Sequence, residues 1–319
     1  MKDKAIHAAI EAATWAPSVH NTQPWTFAVY GEEIRVRADV ERKLRVSDPQ
    51  ARELFISCGA ALFTLRTALR AEGYEPIVRV LPDPDRPALL ATVRLGSPLT
   101  PDEITGILAG EIKRRRTHRA GFTDLPVPDR LVERLVGQAA AEKATLTPIR
   151  MPEAVDVVAA LTQAAQRVQS GDRAFSLEVI RWARPPGSSR RDGVPADAYP
   201  RKSGQERFPQ RDYAHGHDWG TTTDQRMSTA TGIVAIMTTP GDGHHDWIAT
   251  GQALQRVLLH ASAYGVSAAF HTQALEMYQL REFLRHELCS DEYPQMIMRL
   301  GITFEDSRGV RRPLSEVLD

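Results

Sequence analysis

Short polar side chains are concentrated near the start of the chain, in the stretch APSVHNTQPW at residues 16–25. Ser18, Asn21 and Gln23 supply a hydroxyl and two amides, and Pro24 favours an extended conformation for the residue before it. An amide both donates and accepts hydrogen bonds, as the edge of a planar heterocycle requires. The same residue types are also typical of an ordinary Asx or Ser/Thr turn before a strand. This stretch alone does not distinguish a ligand-binding segment from an ordinary turn.

A second cluster, KRRRTHR at residues 113–119, is strongly basic. A basic run at a helix end usually complements the helix dipole in contact with solvent. Here, however, the apolar sequence AGF follows it, and guanidinium groups around a threonine hydroxyl are a combination that binds phosphate. Together, the amide stretch and the arginine cluster predict opposite ends of one site for an anionic, heterocyclic ligand.

Other catalytic patterns are not found in the sequence. It has no Walker A pattern, no G-x-G-x-x-G after a strand and no G-x-S-x-G elbow. Two groups of histidines and aspartates could be considered as metal ligands, but they lack a helical i, i+4 spacing, and Asp246 is expected to cap a helix. We therefore predict no metal site. These residues are His215, His217, Asp218, His244, His245 and Asp246.

The bulk composition excludes several classes of protein. The 319 residues carry 40 basic and 40 acidic side chains, so the chain lacks the charge that nucleic acid or an anionic membrane attracts. No signal-peptide pattern and no run of about 18 apolar residues are present. Cys58 and Cys289 are too few for a disulfide framework. We expect a cytoplasmic protein with a small-molecule partner.

Hydrophobic periodicity predicts the elements that must position these residues. Asp48 and Thr100 are the predicted N-caps of two helices that begin with Pro49 and Pro101, the first of which ends at Gly73. The other predicted helices cover residues 3–15, 128–142, 152–169, 246–264 and 276–288. The predicted strands cover residues 25–30, 34–39, 77–82, 88–96, 232–239, 266–270 and 296–301.

One pattern occurs twice along the chain. Gly59 and Gly73 bracket a segment of the same length as Gly251 and Gly265, and the sequences TVRLG and IMRLG end corresponding strands. Such repetition in the same order indicates an ancient duplication. The alternative is a chance likeness between amphipathic helices.

The predicted fold is therefore α+β, with two tandem related halves packed through long central helices. The first half covers residues 1–110 and the second covers residues 111–319. Residues 184–231 interrupt the second half with a stretch rich in glycine, proline, arginine and aromatic residues. A loop this long is usually functional or disordered. Between a surface insertion and a lid over a ligand, we favour the lid.

These motifs resemble those of the FMN-dependent nitroreductase family. APSVHNTQPW is similar to the family's A-P-S-x-x-N-x-Q-P-W, and RRTHRAGF is similar to R-R-[ST]-x-[RK]-x-F. Family members are homodimers that hold an FMN at each of two interfacial sites, with the arginine segment from one subunit and the P-S-x-x-N segment from the other. The order of the segments here resembles the single-chain pseudo-dimers of the Acg-like subfamily, as do DPQARELFISCGAAL, HTQALE, YPQMIMRLG and RRPLSEVL.

The resemblance implies roles for the arginine segment. Arg115, Arg116 and Thr117 would hold the FMN phosphate and ribityl chain. Arg119 would lie near the N1/C2 edge of the flavin and stabilise negative charge there during reduction. The chain has one such cluster and one P-S-x-x-N stretch, so it should hold one FMN.

The resemblance also implies three further groups of FMN-binding residues. Residues of the amide stretch would pack on and bond to the flavin ring: Pro17, Ser18, Asn21 and Gln23. Residues at the position of the family's usual glutamate and glycine would approach N5 and O4: His271, Thr272 and Gln273. Arg312 matches a C-terminal arginine that reaches the phosphate, whereas Val310 stands where many relatives carry a second cation.

The implied activity is NAD(P)H-dependent, ping-pong hydride transfer through FMN to an electron-poor nitroaromatic, quinone or enone. One chain would act as an intrachain pseudo-dimer, and further dimerisation stays open. An alternative is a protein that stores or sequesters FMN under its lid. A third is a biosynthetic dehydrogenase or dehalogenase on the same scaffold.

Overall fold

The computed structural model describes residues 2–201, 207–221, 230–304 and 309–319. The insertion predicted at residues 184–231 therefore falls partly outside the described residues. The described residues form two four-stranded antiparallel sheets, with long helices between them.

The first sheet is built from residues before position 100. Its elements in chain order are α1 (Lys2–Ala13), β1 (Trp25–Tyr30), β2 (Glu33–Ala38), α2 (Arg52–Ala71), β3 (Tyr74–Val80) and β4 (Leu89–Pro98). The strand order is β1-β2-β4-β3, and all neighbours are antiparallel. Helix α2 is buried along nearly its whole length, because its apolar residues lie on every face.

The second sheet follows a connecting helix, α3 (Glu103–Glu111). Its elements in chain order begin with α4 (Asp129–Ala140), β5 (Thr145–Ile149), α5 (Pro152–Gly171), α6 (Arg173–Trp182), β6 (Ala183–Arg184) and β7 (Val194–Pro195). They end with β8 (Ile233–Thr239), α7 (His244–Ala263), β9 (Val266–Phe270), α8 (Tyr278–Leu288) and β10 (Tyr293–Ile302). The strand order is β5-β8-β10-β9, and β6 and β7 form a separate small sheet.

The two sheets share one topology. In each, the helix that precedes the last two strands has 20 residues, and Gly59 and Gly251 are the eighth residues of α2 and α7. The helices cross at this pair, where a Cβ added to Gly251 would lie 2.8 Å from the Cα of Gly59. The α+β fold with two similar halves packed through long helices is confirmed. The domain boundaries and the duplication stay predictions.

Several predicted helix starts differ from the structure by a few residues. Helix α2 begins at Arg52, because Ala51 has a φ of 66°, and the carboxylate of Asp48 accepts a hydrogen bond from Leu54 N at 2.9 Å. Helix α3 is capped by Asp102 instead of Thr100. Where several polar residues precede a helix, packing decides which of them caps it.

The sequence does not predict one strand of the second half, β5, which pairs with β8 through residues 145–149. Its sequence TLTPI contains a proline, which argues against a central strand. The structure resolves this, because β5 lies at the edge of the sheet and needs only one hydrogen-bonded partner.

Helix α2 is, among the described residues, the one helix long and apolar enough to cross a membrane by length and composition. Inside the protein, 83% of the residues in that helical window are buried. This is the behaviour of a core helix, and the cytoplasmic location stays a prediction.

The start of the insertion is fixed to the first half by Asp192. Its carboxylate pairs with Arg184 at 2.8 Å, with Arg42 of the first half at 2.9 Å and with Arg190 at 3.1 Å. Burial opposes ionisation, but hydrogen bonds from the three arginines prevail and lower the pKa of Asp192 to about 2.

Replacing this carboxylate in Asp192→Asn is expected to lower the free energy of unfolding at pH 7 by about 2 kcal/mol. Because the pKa is lower in the folded than in the unfolded state, the stabilisation is present above pH 4 and is lost as the pH falls from about 4 to about 2. Urea unfolding across this range measures it. Asp218→Asn, which removes an exposed partner of Arg201 in the same insertion, is the control and should change little. Equal losses in both variants would contradict the assignment.

Candidate functional site

A cleft at the junction of the two halves is lined by both of the predicted segments. Pro17 and Ser18 come from the amide stretch, Thr117 and Arg119 from the arginine segment, and Thr272 from the loop after β9. The empty space, including the solvent-open mouth, is about 720 Å³.

The second sheet positions the arginine segment. Thr117 forms a parallel bridge with Ala268 of β9, and His118 N donates to Ala268 O at 2.8 Å. This pairing extends the sheet edge by a short segment, so that Thr117 and Arg119 lie in the cleft wall. The neighbouring Arg115 donates to the carbonyl of Trp15 at 3.1 Å, which ties the arginine segment to the residue immediately before the amide stretch.

The amide stretch has an unusual backbone. His20, Asn21 and Gln23 have φ values of 45°, 55° and 50°, in the left-handed region that residues with a Cβ seldom adopt. The Ser18 hydroxyl holds the turn by accepting a hydrogen bond from Gln23 N at 3.0 Å. Each such residue costs on the order of 1–3 kcal/mol, and these conformations cluster at functional sites.

The amides of this stretch bond to protein and do not line the cleft. Asn21 Nδ2 donates to Gly193 O at 2.8 Å, and Gln23 Nε2 donates to Arg191 O at 2.9 Å. The Oε1 of Gln23 accepts from Arg312 N at 2.8 Å. The sequence placed Asn21 and Gln23 against a ligand ring, whereas the structure uses their amides to hold the insertion and the C-terminal segment together.

Four arginines form a cationic group near the cleft, which we call the arginine group: Arg115, Arg116, Arg119 and Arg311. Burial, with Arg116 and Arg119, lowers the pKa of Arg115 to about 9. Burial and the other three arginines lower the pKa of Arg311 well below its ordinary value. Within the described ranges, none of the four forms an ion pair with a carboxylate.

Parts of the arginine group have no hydrogen-bond partner. Nε and Nη1 of Arg115 and Nε of Arg311 are buried without an acceptor in the part of the chain that the structure describes. Buried cations are costly unless an anion and its hydrogen-bonding atoms complete them. The arrangement therefore suits a ligand with several anionic oxygens.

The beginning of the basic run behaves differently. Lys113 and Arg114 are exposed and pair with Glu11 at 2.9 Å and with Glu111 at 3.3 Å. These two residues behave as a basic helix end in contact with solvent, which was the alternative interpretation of the whole run. The run turns inward at Arg115, which is 4% exposed.

The structure places Arg312, the predicted C-terminal cation, away from the arginine group. Arg312 pairs with Glu316 at 3.3 Å and with Asp39 at 3.7 Å, outside the arginine group. Arg311 joins that group instead, with its guanidinium carbon 5.4 Å from the ring centroid of Trp15. In an extended segment neighbouring side chains point to opposite sides, so sequence alone does not show which arginine faces inward.

The loop after β9 contributes one of its three predicted residues to the cleft. Thr272 lines it, whereas His271 is fully buried and accepts a hydrogen bond from Arg299 Nε at 2.8 Å. Gln273 Nε2 donates to Pro209 O at 3.1 Å, within the insertion. His271 and Gln273 therefore support the wall of the site from behind.

Sequence reasoning missed several residues that line the cleft: His20, Glu53, Ser57, Gln210, Arg211 and Tyr213. Arg211 forms a buried ion pair with Glu276, which also accepts from the Thr272 hydroxyl at 3.1 Å. Burial acts to raise the pKa of Glu276, and the Arg211 cation acts in the opposite direction. Charged residues in otherwise buried segments, such as Glu53 in α2, were the available signal.

Several of the residues weighed as metal ligands have other contacts. His217 stacks on Trp219 with ring centroids 4.5 Å apart, and His244 stacks on Phe55 at 4.3 Å. Asp246 accepts from Gly243 N at 3.0 Å and so caps α7 from within its first turn. In residues 2–201, 207–221, 230–304 and 309–319, no three potential ligands come together.

Two similar α+β halves with a cationic cleft between them agree with the protein family that the sequence matches. The model of the "Nitroreductase family" matches residues 1–51 and 112–302, which include both the amide stretch and the arginine segment. The chain belongs to the nitroreductase family.

Individual relatives cover nearly all of the chain. It is 31% identical to "Putative NAD(P)H nitroreductase Rv3131" of Mycobacterium tuberculosis, over 93% of this chain and 85% of that one. It is 25% identical to "Putative NAD(P)H nitroreductase acg" of the same organism, over 98% and 94%. The solved FMN- and NADPH-dependent nitroreductase NfnB from "sphigopyxis sp. strain HMH" is 20% identical, over 66% of this chain and 97% of that one, with a TM-score of 0.40.

Proposed function

We propose that the chain binds one FMN in the cleft and transfers electrons from NAD(P)H to an electron-poor nitroaromatic, quinone or enone in a ping-pong reaction. The observation that carries this proposal is the arginine group, whose buried N–H groups lack partners among the described residues beside a cleft lined by both motifs. The names of the M. tuberculosis relatives support an NAD(P)H-dependent reductase.

The residues present fit the phosphate of FMN. Arg115 and Arg311 would hold it through the nitrogens that have no protein acceptor, and Arg116 would add charge beside them. The hydroxyl of Thr117, which lies in the cleft wall, would reach the ribityl chain. Each charge-assisted hydrogen bond would contribute about 1.5–3 kcal/mol to binding.

Three other groups of the cleft, Arg119, Arg211 and Tyr213, would position the flavin ring and exclude water. When bound, FMN supplies the hydride-transfer chemistry. Arg119 keeps a positive charge in the cleft wall, where it would stabilise negative charge on the ring. Arg211 and Tyr213 line the cleft from the insertion, where they would keep water from the ring. Because one chain supplies both segments, a second copy is not needed to complete the site.

A second candidate function is storage or sequestration of FMN. The observation that favours it is the position of the insertion, since Gln210, Arg211 and Tyr213 line the same cleft as Pro17 and Thr117. An insertion that closes over the ring would keep NAD(P)H and acceptors away from it.

Anaerobic titration of the FMN-loaded protein with NADPH separates these functions. We expect one FMN per chain, bleaching of the visible flavin absorption by NADPH and its return on addition of menadione. Protein with bound but unreactive flavin would favour storage. A colourless protein that takes up no FMN would contradict both.

A further inference from the structure

His20, which lines the cleft, has a buried ring nitrogen that no hydrogen bond uses among the described residues. Its side chain lies in the cleft wall, and the residue is 5% exposed. Its Nε2 has no hydrogen-bond partner among the residues that the structure describes. The left-handed turn, with a φ of 45° at this residue, fixes the direction in which the side chain leaves the backbone.

The other ring nitrogen of His20 is bonded to the insertion. Nδ1 lies 2.7 Å from the hydroxyl of Tyr213. The guanidinium of Arg119 lies beside the same phenol and has only donors to offer its oxygen. The phenol proton is therefore directed to Nδ1, and this assigns the remaining ring proton to Nε2.

The imidazole is held in its neutral form. Burial first, and then the cations Arg211 and Arg119, lower the pKa of His20 well below its ordinary value. At neutral pH the ring therefore carries one N–H donor and adds no charge beside the two arginines.

We propose that the Nε2–H of His20 donates a hydrogen bond to the oxygen of the electron acceptor, a carbonyl or nitro oxygen, and that Tyr213 is the positioning residue that fixes the donor. This inference rests on the proposed function and assigns the recognition of the acceptor to a named atom. A buried donor left without a partner is costly, so the site favours acceptors that carry an oxygen over analogues that lack it.

The test compares two ligands on the oxidised, FMN-loaded protein without NADPH. Menadione carries two carbonyl oxygens, and 2-methylnaphthalene is the same ring system without them. Binding is followed through the change in flavin absorption, and FMN affinity is measured separately for each variant. The wild type should bind menadione at least tenfold more tightly than 2-methylnaphthalene.

Two substitutions distinguish the contributions of the two ring nitrogens to menadione binding. His20→Asn places an amide near the position of Nδ1 and removes the Nε2 donor, and it should weaken menadione binding about tenfold while leaving 2-methylnaphthalene and FMN binding unchanged. His20→Gln extends the amide to the position of Nε2 and should recover most of the loss.

A second measurement does not depend on flavin. Imidazole ¹⁵N NMR of the apoprotein should show His20 protonated at Nε2, and Tyr213→Phe should convert this signal to a mixture of tautomers. A wild-type ring protonated at Nδ1 would overturn the inference.

Failure of the inference is distinguishable from failure of the proposed function. Protein that binds FMN, with menadione affinity equal in the wild type and His20→Asn, overturns the inference alone. A loss of FMN affinity in His20→Asn equal to the loss for menadione would make His20 a flavin ligand and also overturns it. Protein that takes up no FMN overturns the proposed function and this inference with it.

Discussion

Arg115→Met is expected to weaken FMN binding by roughly 30- to 150-fold, which corresponds to about 2–3 kcal/mol. Arg115 is 4% exposed, and both its Nε and its Nη1 have no acceptor within the described ranges. A phosphate would receive charge-assisted hydrogen bonds from these nitrogens. Fluorescence titration measures the affinities for FMN and riboflavin, and riboflavin, which lacks the phosphate, should lose little.

Arg114→Met is the matched control for this variant. Arg114 is the preceding residue of the same basic run, but it is exposed and pairs with Glu111 at 3.3 Å. Its removal should change FMN affinity less than twofold, because exposed ion pairs contribute little. If Arg114→Met and Arg115→Met weaken FMN equally, or if riboflavin affinity falls as much as FMN affinity, the phosphate assignment is wrong.

A second pair of variants tests which of the neighbouring residues Arg311 and Arg312 would bind the phosphate of FMN. Arg311→Met should reduce the preference for FMN over riboflavin, because Arg311 belongs to the arginine group. Arg312→Met should leave that preference unchanged and lower stability, because Arg312 pairs with Glu316 and Asp39. The opposite pattern would restore the assignment made from the sequence.

Gly251→Ala is expected to destabilise the protein by about 3 kcal/mol or more. A Cβ at this position would collide with the carbonyl of Ile56 and lie 2.8 Å from Ala60 N, both of which are backbone atoms of α2. Backbone cannot rotate away as a side chain can, so α2 and α7 would have to separate. Thermal and urea unfolding measure the loss. FMN affinity should fall too, because Ile56 and Leu254 of these helices line the cleft.

Gly137→Ala is the control for the helix crossing. Gly137 lies within α4, and a Cβ there would meet nothing within 4 Å. Alanine is favoured over glycine inside a helix, so this variant should gain about 0.5–1 kcal/mol. A neutral or stabilising Gly251→Ala would show that the two helices do not cross as described.

Local sequence was sufficient to predict most elements. Helix α1 and strands β1 and β9 were predicted to within two residues, since apolar periodicity and glycine or proline at the boundaries depend on neighbouring residues. The equal spacing from Gly59 to Gly73 and from Gly251 to Gly265 likewise indicated two similar halves. Helix caps such as Asp102 and the edge strand β5 were less predictable, because their selection depends on what packs against them.

The sequence by itself determined the α+β halves. It also brought the amide stretch and the arginine segment into one predicted site, because each of these motifs is an unbroken stretch of sequence that can be recognised on its own. Only the tertiary structure decided which atoms face the cleft. It turned Asn21 and Gln23 toward the protein, placed Arg311 beside the other arginines of the arginine group and brought Tyr213 to His20 across 193 positions. These outcomes depend on side-chain direction and on contacts between distant segments, which no local pattern encodes.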